Sequence, residues 1–320
     1  MSRNDHAVGM NAALHARPKV DAHHHLWQLD RFPYAWLAPD SPPRPFGDHG
    51  ALKRDYLLSD YRRDIAGTGI IGSVFVEANA GAPAAREIEW VDDIARDSAL
   101  PSAAVGSVDL RRADVMSILS EFRRSPRMRG IRMSLCWDER PRWRFIERPD
   151  VMLTPEFRTG LAELTRHGLV FETLVVPSQL SQLAELASAH PDQAMVLDHL
   201  GTPWFETPAD RANWENGMRE CARRANIAVK ISGLWTLDRE WRPEVIAAPV
   251  RYVVDLFGPT RCMWASNLPV EKLMCPVNDQ LSHLEEVLAD LTEEDRNEIF
   301  RGTAERIYRI DRAMEAPLGA

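Results

Sequence analysis

The sequence is short of several things, and each shortage narrows what the chain can be. Its four cysteines, Cys136, Cys221, Cys262 and Cys275, stand far apart with no C-x-x-C pair. That argues against a disulfide framework or a zinc ribbon and makes a reducing cytoplasm the expected compartment. No apolar run approaches the roughly 20 residues needed to cross a bilayer. The N-terminal stretch up to Lys19, which carries His6, His15 and Arg17, has no hydrophobic segment of the secretory type. Basic residues are outnumbered, 39 Lys and Arg against 47 Asp and Glu, for a formal net charge of −8. Clustered phosphate contacts, and with them a nucleic-acid partner, are therefore not expected. No G-x-G-x-x-G or G-x-x-x-x-G-K follows any strand-like segment, so the usual nucleotide-binding signatures are missing.

What is present is regular. The 320 residues are 45% hydrophobic and 27% charged, ordinary for a soluble globular chain, and no shift in composition divides them. Short apolar runs at 20–25, 70–77, 102–110, 130–135, 169–176, 194–197, 227–232 and 262–265 read as strands. Helical patterns at 56–68, 84–98, 113–124, 155–167, 178–190, 209–224, 244–257, 278–291 and 293–308 separate or follow them. Thr154 with Pro155 has the form of an N-cap and first helical position, and Thr292 to Asp295 has capping-box spacing. Eight strands alternating with helices predict parallel pairing and a single closed (β/α)8 TIM barrel over 18–320, preceded by an N-terminal extension at 1–17. The loop at 27–55 is long for a compact domain, which favours a functional role. Its aromatics Trp27, Phe32, Tyr34, Trp36 and Phe46 either wall a substrate mouth or pack the loop onto the body.

The densest chemistry lies in Asp21-Ala22-His23-His24-His25. On a strand, His23 and His25 face one way and His24 the other, with the matching pair about 7 Å apart along the chain. Barrel active sites sit at the C-terminal strand ends, and those ends carry further polar groups: Glu77, Asp109, Arg132, Glu172, Asp198-His199, Lys230 with Ser232, and Ser266-Asn267. Asp198 and His199 are neighbours, so regular strand geometry turns only one of them to the axis. Three imidazoles meeting at one point can bind zinc with an open position or donate hydrogen bonds to a carbonyl oxygen. Arg132 either holds a substrate carboxylate through its planar fork or forms a buried ion pair. Both arrangements point to attack of water on a carbonyl compound.

With these residues identified, the chain resembles the amidohydrolase superfamily, in the branch of lactone hydrolases related to fuconolactonase and 2-pyrone-4,6-dicarboxylate lactonase. The resemblance runs through the D-x-H-x-H-x-W opening at Asp21 to Trp27, Met128 to Arg132, Val196 to Gly201, Val229 to Leu234, Arg261 to Val270, and Gly302 to Tyr308. It implies that His23, His25 and His199 surround the reacting carbonyl, with or without one divalent metal, zinc or manganese, on the same three histidines. It also implies an acid after the eighth strand, in a G-S-D-x-P-V motif, that activates water.

Here that position is Asn267, whose amide accepts no proton near neutral pH. Three readings follow: a natural subgroup with its base elsewhere, an engineered trap, or a binding protein that has lost hydrolysis. Other departures, Met133, Glu172 and Glu77, favour the first and nominate Glu172 or Glu77 as the displaced base, with Asn267 orienting water or substrate. The expectation is a hydrolase opening a lactone or related cyclic ester or amide of a carboxylated sugar or aromatic catabolite. Trp27, Glu77 and Arg132 are expected at the substrate, and a homo-oligomer is compatible with the sequence, which does not itself set the oligomeric state. Non-oxidative decarboxylation of an aromatic acid on the same barrel is the alternative chemistry.

Overall fold

The computed structural model describes residues 17–81 and 85–310. The extension expected at 1–17 thus lies outside the described residues except for Arg17, which pairs with Glu285 and Glu293. Strands β1 (Lys19–His24), β2 (Ile70–Val76), β3 (Ala103–Ser107), β4 (Met128–Ser134), β5 (Val170–Leu174), β6 (Met195–Leu197), β7 (Ile227–Ile231) and β8 (Cys262–Trp264) follow one another in the sheet in chain order. Every pair is parallel. The ring closes beyond the last strand: Asn267 N donates to His23 O and His25 N donates to Leu268 O, both at 2.8 Å. The predicted barrel is the observed one.

The strands are apolar on both faces because both are covered. Phe75, Ile131, Phe171, Val229 and Trp264 belong to the large core shared with the surrounding helices. Val74, Val76, Ala103, Val105, Val196 and Ala228 form a second cluster with Ala304 and Tyr308 of the last helix, so that helix seals the inner layer. Helix starts follow their capping residues. Thr154 Oγ1 accepts from Phe157 N at 3.4 Å and Thr292 Oγ1 from Asp295 N at 3.1 Å. The helix predicted at 293–308 is interrupted by a π-helical turn, Glu298–Gly302, between Glu293–Asn297 and Thr303–Tyr308. No helix among the described residues is long and apolar enough to cross a membrane.

One irregularity in β1 sets up the functional end. The β1–β2 register shifts between Asp21 and His24, a bulge that re-aims side chains. His24 goes outward, its ring stacked 3.9 Å from Tyr61, with Nε2 3.0 Å from Ser73 Oγ. Asp21 also leaves the axis and clasps the barrel seam. It accepts from Tyr61 OH at 2.9 Å, from Ser266 Oγ at 2.6 Å and N at 2.8 Å, and from His23 N at 3.2 Å. Burial pushes its carboxyl up to about 6, against the pull of those donors. Because Asp21→Ala strands several donors in a dry seam, we expect it to destabilise the fold by about 3 kcal/mol. Thermal denaturation checks this, and an unchanged midpoint would show that the clasp carries no stability.

Candidate active site

The C-terminal mouth of the barrel opens into a cleft of about 680 Å³. Its floor includes His25, Arg132, His199 and Asn267, and its walls include Trp36, Phe46, Trp143, Phe145, Trp235 and Arg44. The expectation that the three histidines converge agrees with the geometry. His23 Nε2 and His25 Nε2 are 3.2 Å apart, and the His23 and His199 ring centroids are 4.9 Å apart. The exclusion of one member of the Asp198-His199 pair fails. β6 ends at Leu197, and His199 adopts a left-handed φ of 53°, so both side chains reach the site. Gly233, itself left-handed at φ 63°, leaves room for the imidazole: a Cβ there would lie 2.5 Å from His199 Cβ.

Below the imidazoles lies a buried ionic cluster. Lys230 Nζ contacts Glu172 Oε2 at 2.5 Å, His23 Nδ1 at 3.2 Å and Asp198 Oδ1 at 3.3 Å. The other Glu172 oxygen accepts from Tyr308 OH. With both oxygens engaged and no surface on the cleft, Glu172 is the counter-ion of Lys230. It does not stand beside a reacting carbonyl. Glu77 is likewise committed: Oε1 accepts from Arg132 Nε at 2.9 Å and Nη2 at 2.7 Å, and Oε2 from Asn79 N at 2.6 Å. Arg132 therefore forms the buried ion pair and keeps no free fork for a carboxylate. Only its Nη1 end turns inward, 3.5 Å from His23 Nε2 and 3.8 Å from Asp198 Oδ2.

Electrostatics keep the imidazoles neutral. Burial lowers His23, His25 and His199, the last to about 4, and the cations beside them act in the same direction, Lys230 on His23 and Arg132 on His25 and His199. Burial alone would raise the Asp198 carboxyl, but Lys230 and His23 hold it well below the usual carboxylate range. His25 Nδ1 stands 2.8 Å from Val76 O and His199 Nδ1 2.7 Å from Ser232 Oγ. In the tautomers that donate from Nδ1, both Nε2 lone pairs face inward.

These donors suit a single divalent ion. A tetrahedral zinc with nitrogens at 2.0–2.1 Å spaces them about 3.3 Å apart, close to the His23–His25 separation of 3.2 Å. Ligand atoms of His23, Asp198 and His199 also lie within 4.8 Å of one another, and both Asp198 oxygens lack a hydrogen-bond partner. Asp198 thus joins the three histidines as a ligand candidate.

The long loop divides. Trp36 and Phe46 line the cleft. Trp27, expected at the substrate, is buried elsewhere, its Nε1 donating to Arg54 O at 2.7 Å. Phe32 and Tyr34 pack on the body. Asp109 faces Arg111, away from the cleft. Asn267 has a left-handed φ of 52° and donates from Nδ2 to Glu271 Oε2 at 3.1 Å. Glu271, one helical turn later, also accepts from Trp241 Nε1 at 2.6 Å and Trp235 N at 3.0 Å. Burial pushes its carboxyl up to about 7, against those three donors. Sequence reasoning missed Glu271 and Arg44. The spacing from Asn267 to Glu271, i to i+4, was the available signal for the first.

The amidohydrolase family model matches residues 20–310. The L-fucono-1,5-lactonase of Burkholderia ambifaria is 30% identical over 300 residues, covering 92% of this chain and 96% of that protein. A zinc-bound amidohydrolase structure from Burkholderia multivorans is 28% identical, with TM-score 0.76, covering 92% of this chain and all of that one. A Pseudomonas putida protein assigned as a 2-pyrone-4,6-dicarboxylic acid hydrolase shares the fold at 18% identity and TM-score 0.69, covering 93% of this chain and 98% of that one. With eight parallel strands, the histidine pair on β1 and a family match across nearly its whole length, this chain belongs to the amidohydrolases and is a lactonase-like hydrolase.

Proposed function

We propose that the protein opens a lactone by attack of water on a carbonyl held at the barrel mouth. The observation that carries the reading is the convergence of neutral His25 and His199 with the inward Nη1 of Arg132 on the floor of one cleft. The carbonyl oxygen lies against Arg132, whose positive charge is preorganised for the oxyanion that forms. Water is held by the oxygen of Asn267, since the Nδ2 end is committed to Glu271. With no ion on the histidines, the neutral Nε2 of His199 takes a proton from that water as the new C–O bond forms. It returns the proton to the ring oxygen as the old C–O bond breaks, leaving a hydroxy acid.

A divalent ion, zinc or manganese, would be held by His23, His25, His199 and Asp198. When bound it would supply Lewis-acid polarisation of the carbonyl. The lactonase named among the relatives supports the reaction class. The substrate is a small molecule, in keeping with a cleft whose aromatic walls stand around a few convergent polar groups.

Two outcomes are expected. His25→Ala and His199→Ala should each lower kcat/KM on a small lactone panel on the order of 10²-fold while leaving the circular-dichroism spectrum unchanged. Full turnover in both variants would sink the reading. Glu271 must be ionised to fix the Asn267 amide. Its acid form prevails below its pKa of about 7 and its carboxylate above, so kcat/KM should rise with pH through that value. Glu271→Gln should remove this limb from the profile. A limb that persists in the variant belongs to another group.

A further inference from the structure

Two arginines line the cleft, and their surroundings differ. Arg132 is neutralised by Glu77. On the segment after β4, Arg140 pairs with Asp138 and Arg142 with Glu206. Arg44, on the long loop after β1, lines the cleft and has no acid within ion-pair range among the described residues. Its guanidinium carbon lies 5.2 Å from the centroid of the Phe145 ring. The loop is held in place by Trp36 Nε1 donating to Ala78 O at 2.8 Å and by the Arg44–Gly47 backbone pair. Burial lowers the pKa of the guanidinium, with no neighbouring acid to offset it.

The wall beside it is aromatic. Trp143 and Trp235 stack with centroids 5.9 Å apart and planes 15° apart, and Phe46 meets Trp235 edge-on at 5.9 Å. Such a wall offers ring faces and apolar area. An uncompensated, partly desolvated guanidinium at its edge is complementary to a carboxylate.

We infer that the substrate has a planar or apolar ring body and a carboxylate remote from the reacting carbonyl, with the ring against Trp143 and Trp235 and the carboxylate on Arg44. The orientation rests on the lactonase reading, which sets the reacting carbonyl at the histidine floor. Arg132 then serves the reaction and Arg44 the choice of substrate.

The test measures binding without turnover, so its failure is separable from failure of the lactonase reading. Benzoate and its neutral isostere benzamide are titrated into the full-length protein, followed by tryptophan fluorescence and calorimetry. Benzoate should bind at least about tenfold more tightly than benzamide, a factor expected of one charge-assisted contact. Arg44→Gln should abolish the difference, Arg44→Lys should keep much of it, and Trp235→Ala should weaken both ligands together. Equal affinity of the two ligands for the wild type, no saturable benzoate binding, or a preference that survives in Arg44→Gln would overturn the inference.

Discussion

A buried ammonium governs the centre of this barrel. Lys230 on β7 has no access to water, and a charge buried there is costly unless it is paired. Glu172 on β5 and Asp198 after β6 surround it, His23 Nδ1 lies 3.2 Å away, and Tyr308 from the last helix closes the cluster beneath Glu172. One cation thus ties three strands, the histidine strand and the C-terminal helix to a common point. The cluster, taken with Arg132 and Glu77, formally holds three carboxylates and two cations, an excess of one negative charge that suits a metal ion. Burial and the two cations leave the imidazoles neutral, the form in which an Nε2 lone pair can bind metal or take a proton.

The catalytic end and the selective end of the cleft are built differently. At the floor every charge has a partner, so Arg132 and Asp198 are fixed in place before any ligand arrives. Preorganisation of this kind is what transition-state stabilisation requires. At the rim Arg44 stands on a loop among aromatic rings with no acid beside it among the described residues, and on our inference its partner comes with the ligand. The Asn267–Glu271 pair lies between the two. It moves the negative charge off the usual position and one helical turn away, into contact with Trp241 and the backbone of Trp235.

Much of this was legible in the sequence. The eight apolar runs fixed the barrel, and the side-chain period of two correctly set His23 and His25 against His24. Asp21 was harder, because a bulge moved it off the face that simple alternation gives it. Regular strand geometry turns Asp198 and His199 to opposite faces, whereas the strand stops at Leu197 and a left-handed His199 brings both inward. Glu172 and Glu77 were nominated as bases because a strand-end carboxylate in a sequence carries no mark of its counter-ion. Lys230 and Arg132, far away in the chain, decide the matter. Trp27 and Trp36 looked equivalent in the loop, and only the hydrogen bond of each indole, to Arg54 O or to Ala78 O, separates them.

The central claim is hydrolysis at an acyl carbon by water held among these histidines. The direct measurement is turnover of a panel of γ- and δ-lactones, L-fucono-1,5-lactone among them, in ¹⁸O-labelled water with mass analysis of the products. The account predicts a hydroxy acid carrying one ¹⁸O in its new carboxyl group, with no CO₂ released. Label in the alcohol oxygen, release of CO₂, or no lactone opened faster than in buffer would contradict it.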